Sequence, residues 1–193
     1  MLEILIYAFS IMYSPGPANM LALFAGLNRQ GWPAIRYCFG VGSAMLLFFI
    51  IISYLGENFI SPGLQKTFAL IGGLYIAYLA VKIWLASFSN QKTHGKSDKV
   101  SYSTGLVLQL CNPKSLIAVV PITTVLFSKA GIEGNAILPW CLLLAAMATG
   151  APGMYLMFGS LLQQACLNPK VMAWINRLMA ILLSYVAYGF LFL

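Results

Sequence analysis

Residues 37–56 form an uncharged stretch of 20 positions that reads YCFGVGSAMLLFFIIISYLG. A helix of about 20 residues crosses the ~30 Å hydrocarbon core of a bilayer, so this stretch predicts a membrane span. The composition agrees, because 61% of the 193 residues are apolar and 8% are charged, whereas soluble domains average about 45–50% and about 25%. A soluble core could not bury so much apolar surface, and we predict an all-α membrane protein.

Further apolar segments of spanning length flank this stretch. Together they predict six transmembrane helices at residues 3–27, 37–56, 66–86, 104–127, 136–158 and 172–192. One long polar segment, 87–103, divides a single transmembrane domain (1–193) into repeat one (1–86) and repeat two (104–193). Each repeat holds three helices, so the two repeats have opposite orientations, which is a recurring plan of secondary transporters.

The basic residues are spread unevenly over the loops. One side of the six-span topology holds most of the 11 Lys and Arg, namely Arg29, Arg36, Lys82, Lys92, Lys96, Lys99, Lys170 and Arg177. The other side holds Lys66 and Lys129, and Lys114 lies within a span. Basic loops face the cytoplasm, so we expect loop 87–103 inside and both termini outside. These scattered charges account for the net charge of +7 and do not form a nucleic-acid-binding stripe.

Two predicted spans carry proline near their centres. Pro15, Gly16 and Pro17 interrupt the first span, and Pro113 interrupts the fourth. Proline removes a backbone donor and displaces the carbonyl one turn earlier, and freed groups at that depth must be buried or line a water-filled cavity. Half-helices that begin at Pro17 and Pro113 would direct positive dipole ends into such a cavity, which favours a carboxylate. The alternative is that these prolines only kink two helices.

Three polar residues beside the breaks are candidate substrate contacts. Lys114 lies too deep for its ammonium to reach either interface, and an ionisable residue at this depth is a functional candidate. It is a candidate to bind a substrate carboxylate, to exchange a proton because burial disfavours the charged form, or to hydrogen-bond the carbonyls of a broken helix. Asn19 and Asn112 are candidates to bridge substrate and backbone or to cap the half-helices.

Two tyrosines complete the set of candidate substrate contacts. Tyr75 in the third span and Tyr185 in the sixth are each followed by a second tyrosine three residues later. This spacing fits a lining role and helix packing equally well. Gly26 and Gly153 each end a series of small residues at four-residue spacing, which is typical of close helix contact in membranes.

The residue types that are missing from the spans also limit the function. Deep within them there is no Asp, Glu or His, so neither paired carboxylates nor a metal cluster is expected. The four cysteines lack CxxC spacing, which argues against a zinc site or a disulfide framework. We therefore expect no cofactor and no enzyme activity. A cationic substrate side chain would find no buried carboxylate, which favours a substrate that is neutral overall.

The motifs resemble those of the LysE/RhtB amino-acid exporter family over nearly the whole chain. Residues 14–23 (SPGPANMLAL) resemble its PGP signature, 72–79 (GGLYIAYL) its third helix, and 110–114 (LCNPK) its NPK motif. Residues 176–185 (NRLMAILLSY) are most similar to the cysteine/O-acetylserine exporter branch. Ala18 departs from the pattern, because many relatives carry Asn or Asp there.

This resemblance implies efflux of amino acids or close derivatives across a bacterial inner membrane, driven by the proton gradient. The expected substrates are neutral or zwitterionic, of the cysteine, O-acetylserine, threonine or homoserine class. Pro15, Gly16, Pro17, Asn112 and Pro113 would shape the site. The expected partners are this substrate, the lipid bilayer and a second copy of the chain, but no nucleic acid. The alternatives are a passive channel and a non-transporting membrane scaffold.

Overall fold

The computed structural model describes residues 1–55 and 100–165 continuously, together with single helical positions between 70 and 85 and between 174 and 188. These residues are helical or lie in short connections, and none of them is in a strand. The predicted third and sixth spans lie largely outside the described residues, as does most of loop 87–103. The positions that are described within those two spans are all helical.

Six α-helices follow one another along the two continuous stretches, namely α1 (Leu2–Met12), α2 (Pro17–Leu27), α3 (Trp32–Leu55), α4 (Tyr102–Leu110), α5 (Pro113–Pro121) and α6 (Ile137–Ala165). A π-helical stretch, Ile122–Leu126, continues α5 into a last turn at Phe127–Lys129. Pro121 lies directly before this stretch. A proline inside a helix removes one backbone hydrogen-bond donor, and π-helical turns are rare and occur mostly inside α-helices.

The helix lengths confirm an all-α membrane protein. Trp32–Leu55 has 24 residues and mean hydropathy 2.2, and Gly134–Leu162 has 29 residues and mean hydropathy 1.6, so both can cross a bilayer. Tyr102–Leu110 and Pro113–Lys129 form a third span that is bent by 68° at its break. Helix α3 begins at Trp32, before the predicted 37–56, and α6 ends at Ala165, after the predicted 136–158, because helical hydrogen bonding continues past the hydrocarbon boundary.

The first and fourth spans run in opposite directions. At one end, Gln30 after α2 accepts a hydrogen bond from the backbone N–H of Val100 before α4, at 2.8 Å. At the other end, Glu3 in α1 pairs with Lys129 at the end of the fourth span, at 2.9 Å. The start of one span therefore lies beside the finish of the other. This antiparallel arrangement is what an inverted repeat requires of these two spans.

Glycine allows the helices to cross closely at the Gln30 end. A Cβ on Gly26 of α2 would overlap the carbonyl oxygen of Leu156 in α6, and one on Gly40 of α3 would overlap that of Tyr102 in α4. Any larger residue would push these helices apart. The predicted packing role is therefore confirmed for Gly26, but a Cβ on Gly153 would meet nothing within 4 Å.

Two apolar clusters make up the core, one on each side of the helix breaks. The Gln30-side cluster includes Ala18, Leu21 and Val41. The Glu3-side cluster includes Met12 and Met45. The broken segments lie between these clusters, so the polar groups that they free are enclosed from both ends.

Candidate substrate site

The two helix breaks meet through the side chain of Lys114. Its Nζ donates to the backbone carbonyl of Ser14 at 2.9 Å and to the Ser14 hydroxyl at 2.8 Å. The carbonyl of Pro15 lies further away, at 3.4 Å. One ammonium group therefore joins the second break to the first, across 100 residues of sequence. We call this pair of hydrogen bonds the Lys114–Ser14 brace.

The first break has the geometry that its prolines predict. Helix α1 ends at Met12, and α2 begins at Pro17, which has Gly16 as its N-cap in extended backbone conformation. Asn19 donates from Nδ2 to the carbonyls of Met12 at 2.8 Å and Ser14 at 3.0 Å. These are carbonyls that the interruption leaves without helical partners. Of its two predicted roles, Asn19 therefore fills the backbone-capping one here.

The second break is capped from both sides. Asn112 is the N-cap of α5, and its Oδ1 accepts from the backbone N–H of Lys114 at 3.0 Å. The Ser115 hydroxyl reaches back to the carbonyl of Gln109 near the end of α4, at 2.7 Å. Pro113 occupies the first helical position, where its missing N–H costs nothing. Backbone groups freed by the break are thus satisfied by local side chains.

Gly16 provides the space that the Lys114 side chain needs. A Cβ at this position would lie 3.1 Å from Nζ and 3.3 Å from Cδ of Lys114. The backbone angles of Gly16 are open to any residue, since φ is −167° and ψ is 170°. Close approach of the Lys114 side chain, and not backbone conformation, therefore favours glycine here.

A cavity of about 30 Å³ lies at the meeting point of the breaks. Its lining residues come from all six helices and both breaks and are Ile11, Met12, Gly16, Ala18, Asn19, Val41, Met45, Gln109, Asn112, Lys114, Ser115, Ala118, Ala148 and Ala151. Among the described residues, Lys114 is the charged member of this lining, and no carboxylate accompanies it. The volume holds roughly two water molecules, whereas small-molecule sites usually have about 300–1,000 Å³. The cavity is therefore too small to hold an amino acid in this conformation.

The electrostatic character of the cavity is positive. Helices α2 and α5 both begin at the breaks, and a helix N-terminus carries a partial positive charge. The ammonium of Lys114 adds a full charge that is partly buried. An anionic group such as a carboxylate is the ligand that this arrangement would hold best.

The structure brings together four of the predicted site residues. Gly16, Asn19, Asn112 and Lys114 line the same cavity. Pro17 is buried and begins α2, but it is not among the lining residues.

The other predicted positions lie elsewhere. Pro15 is exposed, and Pro113 begins α5 without lining the cavity. Tyr75 lies outside the described residues. Tyr185 is 77% exposed and does not line the cavity, so its predicted role in substrate contact has no support from this geometry. Two tyrosines at i, i+3 spacing lie on the same helix face, but this spacing does not predict whether that face points toward the cavity or away from it.

Two residues of the site were not singled out from the sequence. Ser14 supplies both acceptors of the Lys114–Ser14 brace. Gln109 lines the cavity from α4. A glutamine inside an apolar span, three residues before Asn112, was the available signal.

Comparison with known proteins places the chain in a family. No solved structure matches it. The profile of the LysE type translocator family matches residues 9–193, which include both breaks and every residue of the cavity. The chain therefore belongs to the LysE type translocator family.

Proposed function

We propose that this protein is a secondary exporter of small zwitterionic amino acids or their derivatives. Membership of a translocator family supports the coarse assignment, which is movement of amino acids or similar small molecules across a membrane. The substrate class and the mechanism rest on the site. Its location would be the bacterial inner membrane, with the termini in the periplasm and the proton gradient as the driving force.

The Lys114–Ser14 brace is the observation that carries this proposal. A substrate carboxylate that enters the cavity competes with the Ser14 acceptors for the Lys114 ammonium. Binding would then release the hydrogen bonds that join the two helix breaks. The same hydrogen bonds join the two halves of the transporter, so the halves would no longer be linked at this point. A ligand shifts a conformational equilibrium only through contacts that differ between the states, and this exchange of acceptors is such a difference.

The small size of the cavity favours a transporter over a passive pore. Apolar clusters lie on both sides of the site, with Ala18 and Val41 toward the Gln30 end and Met12 and Met45 toward the Glu3 end. The packing of these clusters must change before an amino acid fits between them. Alternating opening of two halves around a midplane site is how inverted-repeat transporters work, and the antiparallel first and fourth spans suit that mechanism.

The charge of the lining supports a substrate that is neutral overall. Lys114 can meet one carboxylate, whereas a cationic side chain would meet no carboxylate among the lining residues. Burial of an unpaired charge is costly. Lysine and arginine are therefore expected to be poorer substrates than threonine, homoserine, cysteine or O-acetylserine.

Efflux from reconstituted vesicles tests the proposal. Proteoliposomes are loaded with a panel of radiolabelled amino acids, and release is followed with and without an imposed proton gradient. We expect saturable, gradient-stimulated release of a small neutral amino acid. Release that is unsaturable and indifferent to the gradient would indicate a channel, and release of none of the panel would favour the scaffold alternative.

A further inference from the structure

Gln109 has a buried side-chain oxygen that makes no hydrogen bond. The residue is 9% exposed, and its Oε1 has no hydrogen-bond partner among the residues that the structure describes. A buried acceptor without a partner is costly, so such groups are uncommon in folded proteins and each calls for an explanation. Gln109 also lines the cavity that contains Lys114.

We infer that Oε1 of Gln109 accepts a hydrogen bond from the α-ammonium group of the substrate. This inference rests on the proposed function and adds the second half of substrate recognition to it. Lys114 offers a cation for the carboxylate, and Gln109 offers a neutral acceptor for the ammonium group. The pair would therefore recognise a zwitterion by both of its charged ends.

The surroundings of Gln109 prepare it for this role. Its own backbone carbonyl is held by the Ser115 hydroxyl at 2.7 Å and accepts from the Asn112 N–H at 3.2 Å. These bonds fix the backbone of Gln109 at the end of α4, beside the break. The start of the side chain is thereby fixed beside the cavity, while its buried oxygen has no partner among the described residues.

A neutral acceptor also explains how an amine can be bound without a carboxylate in the cavity. A hydrogen bond to a charged partner contributes about 1.5–3 kcal/mol. A site built to hydrogen-bond an amine discriminates against an analogue that lacks it, because the buried acceptor is then left unpaired. Gln109 thus determines specificity for the amino group, independently of the carboxylate contact at Lys114.

Matched substrate pairs test this assignment. Each amino acid is paired with its analogue without the amino group, for example L-serine with 3-hydroxypropionate and L-cysteine with 3-mercaptopropionate. For the best-transported amino acid, kcat/KM is measured, and the inhibition constant is measured for its partner. We expect Gln109→Met to lower kcat/KM for the amino acid about 10- to 150-fold and to change inhibition by the analogue less than about 3-fold.

Two further variants separate recognition from folding. Gln109→Glu keeps an acceptor oxygen and is expected to retain the preference for the amino acid over its analogue. Gln30→Met replaces another buried glutamine, whose Oε1 holds Val100 outside the cavity, and is expected to lower stability without changing that preference. Because the preference is a ratio measured on one folded protein, it remains informative when the yield of a variant is low.

The outcomes separate this inference from the proposed function. Equal losses for the amino acid and its analogue in Gln109→Met, or no loss for either, would overturn the role of Gln109 while export by the wild type still stands. Transport of no amino acid by the wild type would overturn both. A preference that is lost in Gln109→Met and kept in Gln109→Glu would support the assignment.

Discussion

Replacement of Lys114 by methionine tests the centre of the site, because it keeps the length of the side chain and removes its charge. Two hydrogen bonds to Ser14 are lost, at 2.8 and 2.9 Å. The Ser14 carbonyl keeps a donor, since Asn19 lies 3.0 Å away. Hydrogen bonds between membrane helices contribute about 0.6–2 kcal/mol, and removal of a partly buried charge offsets part of that loss. We therefore expect the free energy of unfolding to change by less than about 2 kcal/mol.

The effect on transport is expected to be much larger. A charge-assisted hydrogen bond between Lys114 and the substrate carboxylate contributes about 1.5–3 kcal/mol. At 1.4 kcal/mol per factor of ten, its loss lowers kcat/KM about 10- to 150-fold. Initial rates of efflux from preloaded proteoliposomes, over a range of internal substrate concentrations, measure this change, and thermal unfolding in detergent measures stability in parallel.

Lys129→Met is the matched control. Lys129 is 67% exposed and pairs with Glu3 at the end of the fourth span, away from the cavity. Transport by this variant should equal that of the wild type. If Lys114→Met is folded and retains kcat/KM within about 3-fold of the wild type, the role of Lys114 in substrate binding is refuted.

Two other predictions concern topology and packing. In a variant without native cysteines, Lys129→Cys is expected to react with a membrane-impermeant maleimide added to the periplasmic side, whereas Ser101→Cys is not. The reverse pattern of labelling would invert the proposed orientation. Gly26→Ala is expected to lower stability by about 1–3 kcal/mol because the added methyl group meets the backbone of α6. Gly153→Ala, where a Cβ would meet nothing within 4 Å, should not lower the unfolding temperature, because alanine is also the better helix former; an equal loss of stability in the two variants would contradict the packing argument.

The helix breaks could be predicted because their causes are local. Proline fixes its own φ and removes its own N–H, whatever the rest of the chain does. The predicted starts of the half-helices at Pro17 and Pro113 are therefore confirmed to the residue. The long apolar spans are predictable for a similar reason, since hydrocarbon imposes one length and one composition on every helix that crosses it.

The partners of the polar side chains could not be predicted in the same way. Lys114 had three candidate roles, and the one that the structure shows depends on Ser14, 100 residues earlier in the chain. The exposure of Tyr185 depends on the rotation of its helix, which a tyrosine spacing does not define. Gln109 stands out only because its buried oxygen has no partner in the described part of the chain.

By itself, the sequence determined that this protein is a bundle of membrane-spanning helices with two interrupted spans, because lipid and proline act on each segment separately. Only the tertiary structure decided that the interruptions meet, that Lys114 joins them, and that the cavity between them is small. These properties depend on the packing of α2 against α6 and α3 against α4. Such packing places residues from distant parts of the chain within hydrogen-bond distance. A local sequence pattern does not predict these contacts.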